Sequence, residues 1–278
     1  MKAWPNLLPD LTKARPLVRP RQQGLTMVLD RCQGLQATED LLNLTGDYID
    51  QIKLSFGTSV FLDEAYLRQK IELVRARQID IYPGGTLMEA MLVHGVYPQY
   101  VRRAKVLGFN ALEISDGTIE MTRQTRNEAI KRALDAGLKV ITEVGKKDPA
   151  QVIAPQVLCD QIAGDLAVGA EKVIIEARES GQGIGIYDAT GLVRQDELTA
   201  IVSCLGDSRG DIIWEAPRQR QQAALILRCG ANVNFGNVKP RDVLGLEALR
   251  CGLRFETFRH FAPHLTAPEE PEEMETYE

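Results

Sequence analysis

The strongest constraint on the fold of this chain is the alternation of eight short β-rich runs with longer segments of helical character. Alternation of this kind predicts βαβ units built around a parallel sheet. The runs, in chain order, are TMVLD, QIKLS, IDIYPG, ALEIS, KVITEVG, KVIIEA, DIIWEA and NVNFGNV. Eight such units in 278 residues fit a single (β/α)8 TIM barrel of the α/β class better than an open, doubly wound sheet.

The two ends of the chain differ from this repeating pattern. Residues 1–23 contain four prolines and several arginines, which predicts an arm lying over the barrel. Residues 263–278 are acidic and interrupted by prolines, which predicts a disordered tail. We therefore expect one catalytic barrel domain over residues 24–262.

Composition excludes several classes of function. The formal net charge of −5 argues against a nucleic-acid surface, and no apolar run reaches the roughly 20 residues of a membrane helix. The N-terminus lacks the apolar centre of a signal peptide, so we expect a cytoplasmic protein. The five cysteines of the chain lie far apart and form no CxxC pair, which predicts that they are reduced and contribute to packing. No GxGxxG motif follows the first run, so a dinucleotide cofactor is not expected.

Charged side chains terminate nearly every predicted strand. In a (β/α)8 barrel the active site lies at the C-terminal ends of the strands, so these side chains are the first candidates for function. Because side chains alternate along a strand, residues two apart share a face and several of these charges can converge on one mouth. The competing interpretation, a purely structural charge network, costs several kcal/mol per buried ion. The candidates are Asp30, Lys53, Ser55, Glu113, Ser115, Asp116, Glu143, Glu176, Arg178 and Glu215.

The signs of these charges suggest what binds. Several carboxylates at one mouth favour a hard cation such as Mg²⁺, which uses one or two protein carboxylates together with substrate oxygens and water. Lysines and Arg178 beside them favour an anionic substrate. The three histidines lie outside the strand ends, so the general acid must come from another group. A lysine in a cationic cluster can have a lowered pKa, which nominates Lys146 or Lys147 in TEVGKK.

Glycine-rich turns supply further candidates. The turn containing Gly84, Gly85 and Thr86 could offer backbone N–H groups to a phosphate, or it could simply be a tight turn between strand and helix. The glycines in ESGQGIGIYD predict a mobile loop over the mouth. Asn234, Gly236 and Asn237 in the eighth run are candidates for binding a substrate phosphate, and Arg218 after WEAP could add a side-chain donor.

Longer strings in the chain resemble the phosphosulfolactate synthase family, which includes bacterial relatives and heat-stress-associated proteins of plants. The strings are LTMVLDRC, GDYIDQIKLSFGTS, IYPGGTLMEA, LGFNALEISDGT, TEVGKK, VIIEARESGQGIGIYD, EAPRQRQQ and LRCGLRFETF. They occur in the family's order from about Gly24 to Phe258, which makes the resemblance specific.

This resemblance implies a (β/α)8 barrel that uses Mg²⁺ to add sulfite to phosphoenolpyruvate, giving (2R)-phospho-3-sulfolactate, a step linked to coenzyme M synthesis. By position in TEVGKK, the proton-donating lysine corresponds to Lys147, with Lys146 as the next candidate. The metal candidates are Glu143, Glu176, Glu113 and Asp30. The substrate-binding candidates are Lys53, Gly84, Gly85, Thr86, Ser115, Arg178, Arg218 and Asn234.

Two alternatives stay open from the sequence. The chain could be a barrel enzyme acting on another phosphorylated enol or keto acid, with a different nucleophile or none. It could also be a non-catalytic, stress-related protein on the same fold, although the retained charges at the strand ends count against that. Barrels often associate through their outer helices, so we also expect a homo-oligomer.

Overall fold

The computed structural model describes residues 18–261, and they form one eight-stranded parallel barrel surrounded by helices. The predicted (β/α)8 barrel is confirmed, and each of the eight predicted runs contains one strand. The strands are β1 Thr26–Asp30, β2 Gln51–Leu54, β3 Asp80–Pro83, β4 Ala111–Ser115, β5 Lys139–Val144, β6 Lys172–Ile175, β7 Ile212–Glu215 and β8 Asn234–Val238.

Helices fill the connections between the strands and continue beyond the last one. They are α1 Leu35–Thr45, α2 Glu64–Arg75, α3 Gly85–Val93, α4 Tyr97–Leu107, α5 Arg123–Asp135, α6 Pro155–Val168, α7 Gln195–Leu205, α8 Gln219–Cys229, α9 Val243–Arg250 and α10 Phe255–Phe261. Four short 3-10 helices lie at Gly46–Tyr48, Ser55–Phe61, Gly206–Asp211 and Pro240–Asp242. None of the helices described between residues 18 and 261 is long and apolar enough to cross a membrane.

Local sequence sets several of the helix ends. Asp63 accepts hydrogen bonds from the N–H groups of Ala65 and Tyr66 and so caps the start of α2. Thr122 caps α5 in the same way through Thr125 N–H. Gly108 and Gly169 end α4 and α6 in the left-handed conformation. These signals lie in the sequence itself, which explains why the alternation of elements could be predicted.

The strands follow the order β3-β2-β1-β8-β7-β6-β5-β4. No backbone ladder joins β3 to β4 within the described part of the chain. Instead, the side chain of Asn110 bridges the seam, accepting from Ile81 N–H at 3.0 Å and donating to Asp80 at 2.6 Å. The barrel is therefore closed by seven ladders and one side-chain bridge.

Inside the barrel, an apolar layer formed by Met27, Tyr82, Ala111, Ile141, Ile174 and Ile213 fills the lumen. A second and larger core lies between the strands and the helices. Because both faces of the sheet are covered, most of the strands are buried along their whole length. Since this layer fills the lumen, we look for the site on its C-terminal side, at the mouth formed by the C-terminal ends of the strands.

The described end of the predicted arm packs against the barrel's N-terminal end. Arg21 is buried, and it donates to a carboxylate oxygen of Asp50 and to the carbonyl of Asp47 at 2.8 and 2.9 Å. The rest of the predicted arm, residues 1–17, and the predicted tail, residues 263–278, lie outside the described residues.

One prediction about the cysteines is wrong. Cys159 of α6 and Cys204 of α7 form a disulfide across 45 positions of the sequence. Packing of neighbouring helices brings these two side chains together, and no spacing motif in the sequence announces that contact. Cys32 and Cys229 are free and exposed.

Candidate functional site

Alternation along the strands places charges directly above the apolar layer. Ile141 of β5, Ile174 of β6 and Ile213 of β7 point into the lumen. An inward glutamate follows each of them two residues later. The same step leads from Ala111 to Glu113 on β4. Four buried carboxylates therefore converge at the C-terminal end of the barrel, namely Glu113, Glu143, Glu176 and Glu215.

Lys53 is the first of two cations among these carboxylates. Its Nζ lies 2.9 Å from Glu113 Oε2, 2.8 Å from Glu143 Oε2 and 3.4 Å from Glu215 Oε1. Lys53 comes from β2, whereas its partners come from β4, β5 and β7. One ammonium group thus ties four strands together across the mouth.

Lys147 is the second cation and lies in the turn after β5. Its Nζ lies 2.5 Å from Glu143 Oε1 and 2.5 Å from Glu176 Oε2. The turn needs Gly145, whose φ is +113° and whose added Cβ would lie 3.0 Å from the Cβ of Glu176. The glycine of TEVGKK therefore lets the chain turn back so that Lys147 reaches the mouth.

The balance of charge shifts the pKa of each carboxyl in a different way. Burial raises the pKa of Glu113 to about 8, and the neighbouring charge of Glu143 adds to the effect of burial. Burial and the charges of Glu143 and Glu215 raise the pKa of Glu176 well above its usual range. Burial alone would raise the pKa of Glu143 too, but the charges of Lys147 and Lys53 hold it well below its usual range. The site therefore has more carboxylates than its two lysines can balance.

Both lysines are stabilised in the charged form. Burial acts to lower the pKa of Lys147, but the carboxylates of Glu143 and Glu176 outweigh it and raise that pKa. Lys53 follows the same pattern, since Glu113, Glu143 and Glu215 raise its pKa well above the usual value. We expected a cationic cluster that lowers the pKa of Lys147, and this expectation is wrong because the neighbours of Lys147 are acids. Lys147 is instead a fully protonated ammonium group at neutral pH.

The predicted glycine turn lies at the same mouth. Gly85 begins α3, and its N–H donates to Glu113 Oε1 at 2.7 Å. An added Cβ on Gly85 would lie 2.5 Å from the Cβ of Ser115, so only glycine allows the start of α3 to approach β4 this closely. Together with Gly84 and Thr86, it lines a cavity of about 220 Å³ that also exposes Lys53, Lys147 and the four glutamates.

The rim of the cavity also contains residues that are not among the predicted site residues. Phe56 lies there with a φ of +54°, and the guanidinium of Arg31 lies 5.5 Å from the centre of its ring. Arg178, a predicted contact, lines the same rim with a φ of +59°. Glu179 follows it and forms a 3.8 Å ion pair with Arg31. The backbone is left-handed at Phe56 and Arg178. Residue spacing in the sequence does not predict this conformation for non-glycine residues.

Asn237, a further candidate of the eighth run, lies three residues after Asn234 on β8. Asn237 is buried, lines the cavity and has a φ of +53°. Its Oδ1 has no hydrogen-bond partner within the described residues. A buried polar atom without a partner at the wall of a cavity marks a place where a ligand or water can bind.

Asn234 itself lies at the opposite end of the barrel, and its prediction as a substrate contact is corrected. Its Oδ1 accepts from Leu25 N–H at 3.0 Å, and its Nδ2 donates to the carbonyls of Gly210 and Ile212 at 2.9 Å. The residue begins β8, and a strand's first residue lies at the N-terminal end of a parallel barrel. Asn234 therefore joins neighbouring chain segments on the far side of the apolar layer.

Asp30 is also misplaced by the sequence argument. On β1 the inward residues are Met27 and Leu29, so Val28 and Asp30 face the surrounding helices. Asp30 Oδ1 accepts from the N–H groups of Cys32 and Gln33, and Oδ2 pairs with Lys70 of α2. The prediction of Asp30 as a metal ligand assumed the wrong inward face of β1, and Asp30 instead forms a structural ion pair with Lys70.

Lys146 points away from the cavity. Its Nζ donates to the carbonyls of Asp116 and Ile119 at 2.9 and 2.8 Å and pairs with Glu120 at 3.2 Å. The two adjacent lysines of TEVGKK therefore have different surroundings. Lys146 fixes the loop after β4, and only Lys147 reaches the mouth.

Arg218 and Ser115 contact the site through other residues. Arg218 donates to the carbonyls of Ser180 and Thr190 at 2.8 and 3.1 Å, so it holds the loop after β6 rather than the cavity wall. Ser115 is fully buried behind Glu143. Neither residue lines the cavity as the sequence argument predicted.

A buried arginine outside the cavity, Arg126, supports the residues of the site. Arg126 of α5 donates to both carboxylate oxygens of Asp165 and to the main-chain carbonyl of Glu143, the last of these at 2.9 Å. It also lies 3.1 Å from Asp116. This network fixes the end of β5, and its members lie in the two connections on either side of that strand, so no local sequence pattern predicts it.

The donor set of the cavity fits a divalent cation. Glu113 and Glu176 are buried, and an oxygen of each pairs with a lysine ammonium group, Glu113 Oε2 with Lys53 at 2.9 Å and Glu176 Oε2 with Lys147 at 2.5 Å. No group of three or more acidic, histidine or cysteine side chains between residues 18 and 261 forms a ready-made cage. Mg²⁺ commonly binds one or two carboxylates and completes its shell with water and substrate oxygens, which is compatible with this arrangement.

Comparison with known proteins agrees with this geometry. The family model of (2R)-phospho-3-sulfolactate synthase (ComA) matches residues 15–256. The chain belongs to this family. A phosphosulfolactate synthase of Methanothermobacter thermautotrophicus is 41% identical over 241 residues, covering 86% of this chain and 93% of the relative. The phosphosulfolactate synthase of Bacillus subtilis is 36% identical over 242 residues, covering 86% and 94%.

More distant similarities extend beyond the proteins named phosphosulfolactate synthase. HEAT-STRESS-ASSOCIATED 32 of Arabidopsis thaliana is 21% identical over 259 residues, covering 84% of this chain and 87% of the relative. The crystal structure of 3-hexulose-6-phosphate synthase from Salmonella typhimurium superposes with a TM-score of 0.53 at 12% identity, covering 85% of this chain and 99% of the other. At that identity the likeness concerns the barrel fold alone.

Proposed function

We propose that this protein catalyses the Mg²⁺-dependent addition of sulfite to phosphoenolpyruvate, giving (2R)-phospho-3-sulfolactate. The observation that carries the proposal is the cavity in which Lys53 and Lys147 face four glutamates in a chain of the phosphosulfolactate synthase family. Such a cavity suits two small anions and a cation.

Charge supports the choice of substrates. Phosphoenolpyruvate and sulfite together carry about five negative charges, and two anions share a pocket only when cations separate them. Lys53, Lys147 and Arg178 line the cavity and supply part of that charge, and Mg²⁺ held by the surplus carboxylates would add to it. The start of α3 at Gly85 adds the positive end of a helix dipole, which suits a phosphate group.

Two changes at carbon make up the reaction. The sulfur lone pair of sulfite forms a bond to the CH₂ carbon of phosphoenolpyruvate, and the C=C electron pair moves onto the carboxylate to give an enolate. A proton then passes from Lys147 Nζ to C2, and the phosphate ester stays intact. Lys147 suits this step because its ammonium group lines the cavity, where it can reach the substrate.

We further propose that Glu113 and Glu176 hold the magnesium ion, with Glu215 as a third candidate. Both of the first two are buried and line the cavity, and a divalent cation would take the place of the protons that their raised pKa values favour. When bound, Mg²⁺ would stabilise the negative charge that develops on the substrate carboxylate. Glu143 is the less suitable ligand because Lys53, Lys147 and Ser115 already occupy its oxygens.

The decisive experiment incubates the purified protein with phosphoenolpyruvate, sulfite and Mg²⁺ and detects phosphosulfolactate by mass spectrometry. Omitting each component in turn gives the controls, and we expect product only with all three. If phosphoenolpyruvate raises the melting temperature but no product forms with sulfite, sulfite is not the nucleophile, and an enzyme acting on another phosphorylated acid becomes the better assignment. If neither substrate changes the melting temperature, a non-catalytic protein is favoured.

Two sequence-based predictions stay predictions. The cytoplasmic location is predicted from the sequence of the N-terminus. The homo-oligomeric state is predicted because barrels often associate through their outer helices. Size-exclusion chromatography with light scattering would measure the second directly.

A further inference from the structure

Gly117 lies directly against the side chain of Lys147. It belongs to the loop that follows β4, is buried and does not line the cavity. Its carbonyl accepts from Lys147 N–H at 2.9 Å, which joins the loop after β4 to the turn after β5. A Cβ added to Gly117 would lie 2.6 Å from Lys147 Nζ, 3.2 Å from its Cγ and 3.4 Å from its Cδ. The lysine side chain therefore runs over the surface of Gly117.

Space, and not backbone conformation, is what glycine provides at this position. The φ of Gly117 lies outside the left-handed region, so alanine can adopt the same backbone. The three atoms nearest to the added Cβ all belong to the side chain of Lys147. Since heavy atoms in ordinary contact are about 3.5–4.0 Å apart, the ammonium group would have to move by about 1 Å to make room for a methyl group.

The main chain around Gly117 is held from both sides. Thr118 N–H donates to Glu89 Oε2 at 3.0 Å, and the carboxylate of Asp116 pairs with Arg126 at 3.1 Å. Glu89 and Arg126 are both buried, so these contacts belong to the packed part of the barrel. A methyl group on residue 117 would therefore displace the end of a flexible lysine side chain more easily than the loop.

Two carboxylates contact the other sides of the same ammonium group. Lys147 Nζ lies 2.5 Å from Glu143 Oε1 and 2.5 Å from Glu176 Oε2. These contacts attract the ammonium group, whereas the surface of Gly117 limits how closely it can approach the loop after β4. Attraction from two directions and a fixed surface in a third define one position for Nζ.

We propose that Gly117 is a positioning residue for the proton donor, because its bare surface sets the place of the Lys147 ammonium group at the cavity wall. A general acid must lie about 2.6–3.2 Å from the atom that it protonates, and a misplacement of about 1 Å can cost about 10²-fold in rate. The inference rests on the proposed function for its effect on turnover, whereas the position of Nζ can be measured without activity.

The first test compares Gly117→Ala with Gly245→Ala in the sulfite addition assay. Within the described part of the chain, a Cβ added to Gly245 of α9 would meet open space, so this variant is the matched control. We expect Gly117→Ala to lower kcat about tenfold to a hundredfold. Its KM for phosphoenolpyruvate should stay within about twofold, because the positive charge remains in the cavity. If kcat of Gly117→Ala equals that of the control, the proposal is overturned.

A double-mutant cycle shows whether Gly117 acts through Lys147. In the Lys147→Ala background there is no ammonium group to displace, so adding Gly117→Ala should change the residual kcat by less than about twofold. A loss as large as in the wild-type background would show that the methyl group disturbs the loop itself, which contradicts the inference. If Gly117→Ala alone does not fold, the double variant should fold because the clash is gone, and its failure to fold would also contradict the inference.

Crystal structures of the wild type and Gly117→Ala locate the ammonium group directly. We expect Nζ of Lys147 to be displaced by about 1 Å while the main chain of residues 116–119 keeps its place. A loop that moves away while Nζ keeps both carboxylate contacts would refute the inference. Because the structures need no activity, they test it even if sulfite is not the substrate. A fully active Gly117→Ala would refute this inference alone and leave the proposed function standing.

Discussion

Lys147 Nζ lies 2.5 Å from Oε1 of Glu143, four residues earlier in the chain. The contact joins the end of β5 to the turn that follows it, and it holds an ammonium group at the wall of the cavity. A carboxylate in this position keeps the lysine charged and limits where its hydrogens can point. Most of our predictions follow from this pair and its neighbours.

Replacing Lys147 tests the proton donor. Because general acids typically contribute about 10²-fold to 10⁴-fold, we expect Lys147→Ala to lower kcat by that amount in a sulfite addition assay. Lys146→Ala is the matched control, since Lys146 donates to two carbonyls outside the cavity and should leave kcat within about threefold. Equal losses in the two variants would show that the turn matters as a unit and that Lys147 has no special role.

Removing Lys53 should lower stability as well as activity. Lys53 balances the charges of three buried carboxylates, and breaking a buried ion pair from one side costs about 3–5 kcal/mol. We expect Lys53→Met to lose that much free energy of unfolding at pH 8 in urea denaturation. The loss should shrink at pH 5, where the remaining carboxyl groups can take up protons. A loss that does not change with pH would mean that packing, and not charge, sets the cost.

The raised pKa of Glu113 predicts how stability depends on pH. Since that pKa is about 8 in the folded protein and near 4.5 when unfolded, the folded state binds more protons between these values, and this group's contribution is lost as pH rises through 8. We expect the wild type without divalent cations to lose about 1 kcal/mol per pH unit more than Glu113→Gln between pH 5 and 8. Saturating Mg²⁺ should flatten the wild-type slope. Identical slopes for both proteins would contradict the assigned shift.

Asn237 should contribute to substrate binding without supporting the fold. Its left-handed backbone is easily adopted by glycine, so Asn237→Gly should unfold at a temperature close to that of the wild type. Loss of one hydrogen bond to a charged ligand should raise the KM for phosphoenolpyruvate about tenfold. Asn234→Gly is the contrasting variant, since it removes three buried hydrogen bonds at the other end of the barrel and should lower stability while KM is retained.

The disulfide between Cys159 and Cys204 can be tested by peptide mapping without reductant. We expect a linked peptide pair, and we expect reduction to lower the free energy of unfolding by about 2–4 kcal/mol. Cys229→Ser is the control, because Cys229 is free and exposed and its replacement should change stability little. Recovery of only unlinked peptides would restore the original prediction of five reduced cysteines.

The sequence by itself determined the architecture and the chemical character of the site. Alternating periodicities of two and 3.6 residues are local properties, so the eight strands and the placement of charges at their C-terminal ends could be read directly. TEVGKK and PGGT also marked two turns that do line the cavity. Polar residues at successive strand ends must converge in any closed parallel barrel, and this geometric rule made the mouth predictable.

Tertiary structure decided which side of each element faces the mouth and what each charge contacts. On β1 the inward residues are Met27 and Leu29, so Asp30 faces outward and contacts Lys70. Asn234 is the first residue of β8 and therefore lies at the N-terminal end of the barrel. The turn at Gly145 separated Lys147 from Lys146, and helix packing brought Cys159 to Cys204. The pKa of Lys147 rose because its neighbours are acids. These outcomes depend on contacts between residues distant in the chain, and such contacts are fixed only when the barrel closes and its helices pack.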